Sequence, residues 1–189
     1  MAKFLYVLWL PGSCYPDDMC ELYDHTVTIP MVPIGKAINI FVRGGHACSR
    51  KTDRVAAWEK EFFYRALGQF PRQPPLEGPI SIDILAVFPR TKDQKKIYAN
   101  GTPKHPTGLL RHTVKPDGDN IRKSVQDALK FLWKDDCQVD VGLVIKARCE
   151  LDGQPRVTVR VREITDEEFS NVSEPLRQHV CSAKVNTLP

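Results

Sequence analysis

Between Lys115 and Asp136 the chain carries five aspartates, Asp117, Asp119, Asp127, Asp135 and Asp136, with Lys123 among them. Carboxylates gathered in this way repel one another unless a cation holds them. Oxygen donors without His or Cys suit Mg²⁺ or Mn²⁺ rather than zinc. Such an ion orients a water, lowers its pKa and neutralises charge growing on a phosphate. Lys123 lies one helical turn beyond Asp119, where an ammonium would contact a scissile phosphate or steady a departing oxygen. On residue type and spacing alone, a divalent-metal site for phosphodiester chemistry, built from these aspartates with Lys123 beside it, is one reading among several. A calcium loop is excluded. Counted from Asp117 as the first position, a ligand, a glycine and a glutamate are required where Ile121, Arg122 and Ala128 stand.

Simpler readings compete for each part. An aspartate pair before a helix caps it. Asp119, Lys123 and Asp127 at four-residue steps make a surface charge row worth a few tenths of a kcal/mol. Asp135-Asp136 alone is a solvated turn.

The positioning element is a helix over 119–132. Pro116 disfavours helix at Lys115, and Asp117 or Asp119 can cap the helix N-terminus. Ile121, Val125, Ala128, Leu129 and Leu132 give its buried stripe. If the approach to the helix is extended, Asp117 and Asp119 project to one side. About 14 helical residues span roughly 21 Å, so Asp136 cannot reach Asp119 along the helix. It must return through the strand beside the helix N-terminus, or come from across a subunit boundary.

Alternation predicts a strand at 25–30, and a second at 37–43 that ends at Gly44-Gly45. A helix is expected over 52–68, with Val55, Trp58, Phe62 and Leu67 on its stripe and Gly68 as its C-cap. Residues 80–88 read as a buried strand. Residues 138–147 and 156–163 read as two more, joined around Asp152-Gly153 as an antiparallel hairpin with a long loop. Asp166-Glu167-Glu168 suits a short helix start in the tail. These elements predict one α+β domain, a small, mostly antiparallel or mixed sheet with two main helices on one face. The expected divisions are an N-terminal extension over 1–23, the domain over 24–164 and a tail over 165–189. The alternative for the first is an edge strand at Phe4 to Leu10.

The segment 90–116 has no clear period and carries seven Lys/Arg against one acid, Asp93. A loop of this length is either functional or a flexible linker. In the first case Arg111, His112 and Lys115, nearest the aspartates, would track phosphates. A net charge of +4 permits a polyanionic partner without requiring one. The six cysteines form no C-x-x-C and precede no His pair at zinc spacing. We expect reduced thiols in a cytoplasmic protein, with the cysteines, Cys137 included, as small buried apolar residues. The apolar run after Met1 is too short to span a bilayer.

Lys115-Pro116-Asp117-Gly118-Asp119-Asn120-Ile121-Arg122-Lys123, then Asp127-Ala128-Leu129, then Trp133 to Val139 and Lys146, resembles the RusA family of Holliday-junction resolvases. The resemblance is dense over 115–148 and looser over 25–164. It implies a Mg²⁺-dependent homodimer that nicks two strands of a four-way DNA junction, with no cofactor beyond the metal. It implies metal-binding roles for Asp117, Asp119 and Asp136, a catalytic role for Lys123, and DNA contacts from Lys115, Arg111 and Lys146. The family's basic run after the first strand is reduced here to Pro33-Ile34-Gly35-Lys36-Ala37-Ile38. Cleavage of branched or flap DNA in general, an inactive junction-binding module, and a structural protein with helix-capping aspartates are the alternatives.

Overall fold

The computed structural model describes residues 23–72 and 74–174. The expectations for Phe4 to Leu10, for the rest of 1–22 and for the end of the tail lie outside the described residues. So do Cys14, Cys20 and Cys181.

The architecture follows from one strand. Residues Ile80–Phe88 (β4 in chain order) form an almost unbroken apolar run buried on both faces. Such a strand needs hydrogen-bonding partners on both sides and a covering layer. β8 (Arg156–Glu163) pairs with it antiparallel on one side, and β1 (Asp24–Ile29) pairs with β8 beyond. On the other side run β6 (Val139–Val141) and β7 (Val144–Arg148), both parallel to β4, and the short β5 (Leu110–Arg111) pairs with β7. The sheet order is β1-β8-β4-β7-β5, a mixed sheet as expected. The expected hairpin between 138–147 and 156–163 is corrected: β7 and β8 do not pair, because β4 lies between them.

The expected single strand over 138–147 is also corrected to two. Gly142 divides it, and a Cβ there would stand 2.1 Å from the Ile82 carbonyl oxygen. That close approach lets Leu143 bond across to β4, its carbonyl accepting from the Ile84 amide at 2.7 Å.

Two helices cover the sheet. α1 (Asp53–Leu67) starts at Thr52, whose hydroxyl accepts from the Val55 amide, and buries Val55, Trp58, Phe62 and Ala66. Leu67, expected on that stripe, is exposed, and Ala66 takes its place. α2 (Gly118–Leu129) buries Ile121, Val125, Ala128 and Leu129 as predicted, and a 3-10 turn over Lys130–Leu132 then buries Leu132. A third helix, α3, begins at Asp166; Thr165 and Glu168 exchange side-chain-to-backbone bonds as its capping box.

The strand ending at Gly44-Gly45 is one arm of a hairpin. β2 (Ile38–Arg43) pairs with β3 (His46–Lys51) through a two-residue turn with φ of +57° and +80° at the glycines. Two consecutive positive φ values are the geometry in which glycine is least strained and strand twist is preserved. Among the described residues no helix is long and apolar enough to cross a membrane.

Candidate active site

The loop carrying Lys115, Pro116 and Asp117 is held from three directions. Lys146, on β7, donates to the carbonyls of Val114 and Pro116, each at 2.9 Å. His112 stacks on Phe88 with ring centroids 4.1 Å apart, and its Nε2 lies 3.3 Å from the Lys115 carbonyl. Burial, with Arg148 and Lys146 nearby, pushes the His112 pKa down although the Lys115 carbonyl favours its proton. A neutral imidazole is the result at neutral pH. On the third side Gly35 packs against Pro116 so closely that a Cβ would lie 2.4 Å from the proline Cβ. Lys36 then donates its amide to the Asn120 carbonyl at 2.9 Å.

Lys146 is thus a strut between a strand and the loop, a role beside the DNA contact that the family resemblance implies for it. Lys146→Met is expected to lower stability by about 1.5 kcal/mol, the low end for hydrogen bonds from a charged donor. A fall in urea midpoint checks this; a lysine serving DNA alone would leave the midpoint unchanged.

Asp117 occupies the N-cap position of α2 with extended backbone, yet its side chain makes no capping bond. Its carboxylate is exposed and lines a cleft of about 630 Å³ together with Lys36, Arg54, Lys115, Asn120 and Arg148. One acid among four cations fits a groove that receives a phosphate chain. Asp119, in the first turn of α2, is exposed and lies outside the cleft lining; its carboxylate meets Lys123 Nζ at 3.3 Å. That exposed pair adds at most a few tenths of a kcal/mol to stability.

Asp136 stands elsewhere. It opens a 3-10 turn over Asp136–Gln138 that Asp135 and Gln138 cap reciprocally. Lys130 Nζ lies 2.9 Å from one of its oxygens and Trp133 Nε1 donates to the other at 3.3 Å. It lines a separate recess of about 250 Å³ beside Trp133 and Lys134. The 12 residues of α2 run between the two depressions, a rise of roughly 18 Å. Among the described residues no three His, Cys, Asp or Glu side chains group closely enough to hold a metal. The strand after Asp136 runs along β4 and does not return Asp136 to Asp119 within one chain.

Asp127 is a centre that the charge-row reading undervalued. It lies on the same helix face but is largely covered, and accepts from Lys51 at 2.8 Å, Lys36 at 2.9 Å and Lys130 at 3.4 Å. Lys51 also meets Glu59 on α1 at 2.8 Å. Asp127 on α2 and Glu59 on α1, sharing Lys51, therefore tie the root of the β2–β3 hairpin to both helices. Burial pushes the Asp127 pKa up, but the Lys51 and Lys36 ammonium groups outweigh it and bring it to about 2. A carboxyl with a depressed folded-state pKa contributes stability above the unfolded value near 4, lost as pH falls through about 2. The contribution is on the order of 2 kcal/mol. Between pH 4 and pH 2 the parent protein should therefore lose more urea resistance than Asp127→Asn.

The basic segment is ordered, not a flexible linker. Arg90 is buried and donates to the carbonyls of Cys149, Gln94, Pro106 and Gly108 at 2.5–3.1 Å, pinning the loop to β7 and to itself. Asp93 gathers Lys96, Lys104 and His105 at 3.0–3.1 Å, and those bonds hold its carboxyl far below the usual range. Arg90, Lys96 and Lys104 are thus committed within the loop. Arg111 and Lys115 remain exposed, without an acidic partner among the described residues. Cys137 is exposed, correcting the expectation of burial, because its short turn rides on the surface; the nearby Asp135 raises its thiol pKa. Cys149 is buried as expected.

Arg54 and Arg148 in the cleft, and Arg90 and Lys146 beneath the loop, were not legible as such. Nothing in an arginine's or lysine's sequence neighbours says whether it faces a carbonyl or solvent.

Comparison with known proteins decides the kinship of this site. The profile of the family described as endodeoxyribonuclease RusA matches residues 30–162. The chain belongs to the RusA endodeoxyribonuclease family. The RusA match spans the cleft, α2 and the turn that carries Asp136. A relative, the uncharacterized protein YqaN of Bacillus subtilis (strain 168), is 36% identical over 107 residues. Those residues are 56% of this chain and 72% of YqaN. Family membership places the chemistry with nucleases acting on DNA, and on Holliday junctions in particular.

Proposed function

We propose that this protein is a Mg²⁺-dependent endodeoxyribonuclease that resolves four-way DNA junctions by paired nicks, acting as a homodimer. The observation that carries the reading is the Asp117 carboxylate. It caps nothing, and it opens into a cleft lined by Lys36, Arg54, Lys115 and Arg148. A helix-capping role leaves that arrangement without a purpose; a phosphate chain beside a metal-binding acid uses all of it.

The donor set suits a hard cation: Asp117, Asp119 and Asp136 offer only carboxylate oxygen, and all three are exposed. Such an ion would activate water for attack at phosphorus and offset charge on the phosphate. Since one chain keeps Asp136 away from the other two, a second copy related by a two-fold axis is the reading that completes the set. Lys123, freed from Asp119 once that carboxylate is engaged elsewhere, would face the departing oxygen. Arg111 and Lys115 would position the strand through phosphate contacts and carry little sequence information.

The test is to incubate the protein with labelled four-way, three-way and linear DNA of matched sequence, with and without Mg²⁺. Paired symmetric nicks on the four-way substrate, in Mg²⁺ only, are expected. Equal cutting of the three-way substrate would favour a general branched-DNA nuclease, and binding without cutting an inactive module.

A further inference from the structure

The β2–β3 hairpin is the least explained part of the molecule. Every residue from Ile38 to Ala47 is exposed. In the register of the hairpin, Ile38, Ile40 and Val42 share one face with Ala47, Ser49 and, at the root, Lys51, and the three are 51%, 75% and 73% exposed. Phe41 lies on the opposite face beside Arg43, His46 and Arg50, and is 43% exposed. A two-stranded ribbon with apolar side chains bare on both faces is marginal in water by itself. Apolar surface of this kind marks an interaction site.

Its charge selects the partner. From Lys36 to Thr52 there are four Lys/Arg and no acid. Lys36 and Lys51 are held at the root by Asp127, and Arg50 shares the exposed Asp53 at 3.2 Å. Arg43, at the tip, has no acidic partner among the described residues. The root is continuous with the candidate site, since Lys36, Ala37 and Thr52 line the same cleft as Asp117. A polyanion lying in the cleft therefore runs beneath the ribbon. Base faces are the one apolar surface such a polyanion offers, and they are uncovered where stacking is interrupted.

We propose that the β2–β3 ribbon wedges into the branch point of DNA held in the cleft, with Ile40 and Val42 on one face against unstacked bases and Arg43 and Arg50 on the other face against the flanking phosphates. This rests on the junction-nuclease reading and names the ribbon as its structure-sensing element. Apolar side chains wedged between base steps are an established way to hold a distorted duplex. Six residues per strand give a reach of about 20 Å, or roughly six base-pair rises.

The test uses the full chain and a four-way junction with 2-aminopurine at the branch point, in EDTA so that no strand is cut. Binding should raise the fluorescence about twofold or more, as unstacking requires. Ile40→Thr with Val42→Thr, which keeps strand propensity, should abolish the rise. Arg43→Ala with Arg50→Ala should lower the log–log salt slope of binding by about 1.8. Melting temperature and sedimentation of both double variants should match the parent. A retained fluorescence rise in the threonine variant overturns the proposal. A fall in melting temperature would mean that the ribbon is covered by its own chain, and loss of dimer that it is covered by a second copy; either overturns it too. Junctions that are bound with flat fluorescence in EDTA, and cut once Mg²⁺ is added, sink the ribbon alone, whereas no binding to any junction sinks the functional reading with it.

Discussion

Asp119→Asn should abolish cutting of a four-way junction in Mg²⁺, with a loss of about a thousandfold or more, while junction affinity stays within about twofold. The first number reflects removal of a carboxylate whose value lies in charge stabilisation during reaction, where single groups are worth about 10²–10³ or more. The second reflects the location of Asp119, outside the lining of the basic cleft. Stability should hardly change, because the Lys123 partner is exposed and such pairs contribute little. The same applies to Asp117→Asn, whose side chain makes no capping bond that could be lost. A capping role predicts the opposite pattern, with cutting intact and about 1 kcal/mol of stability gone. Rate assays on a labelled junction, run beside a thermal melt, separate the two.

The second large effect concerns the gap between Asp119 and Asp136. If two copies complete each site, inactive Asp119→Asn and inactive Asp136→Asn chains should rescue one another when mixed. In a mixed dimer one site would receive both substitutions and the other neither. Nicking should then return from background to a substantial fraction of the parent rate, about a quarter when subunits exchange freely and each intact site works alone. Product should be single nicks, since one dimer would hold one intact site. Chains that each carry a whole site would show no rescue. Gel assays of nicked and doubly cut junctions, after co-refolding the two variants, give the answer.

Much of the positioning machinery was legible. The stripe of Ile121, Val125, Ala128, Leu129 and Leu132 gave α2 and its buried face, because apolar residues at a 3.6-residue period match a half-buried helix and no strand. β1, β4 and β8 were equally plain. Pairing was not, since alternation along 138–147 and 156–163 marks strands without saying who lies between them. The clue was the largely apolar run of β4, broken only by Ser81 and Asp83, which calls for neighbours on both sides. β3 was missed because His46-Ala47-Cys48-Ser49-Arg50-Lys51 has no apolar alternation, although Gly44-Gly45 after a β-prone run is itself a hairpin signal. For the site, residue types pointed to oxygen ligation and one helix ordered Asp117, Asp119 and Lys123. The place of Asp136 depends on how the chain leaves α2, through a 3-10 turn and a capped turn set by Trp133, Asp135 and Gln138. No local period encodes that.

Binding of one divalent ion by Asp117, Asp119 and Asp136 is tested at source by Mn²⁺ titration followed by electron paramagnetic resonance. With the protein bound to a four-way junction carrying an uncleavable linkage, the free Mn²⁺ signal should be lost at a fixed stoichiometry. Asp117→Asn, Asp119→Asn and Asp136→Asn should each weaken that binding by about tenfold or more, as loss of one carboxylate ligand from a hard-cation site should. Binding of Mn²⁺ by Asp136→Asn as tightly as by the parent would contradict the three-aspartate site.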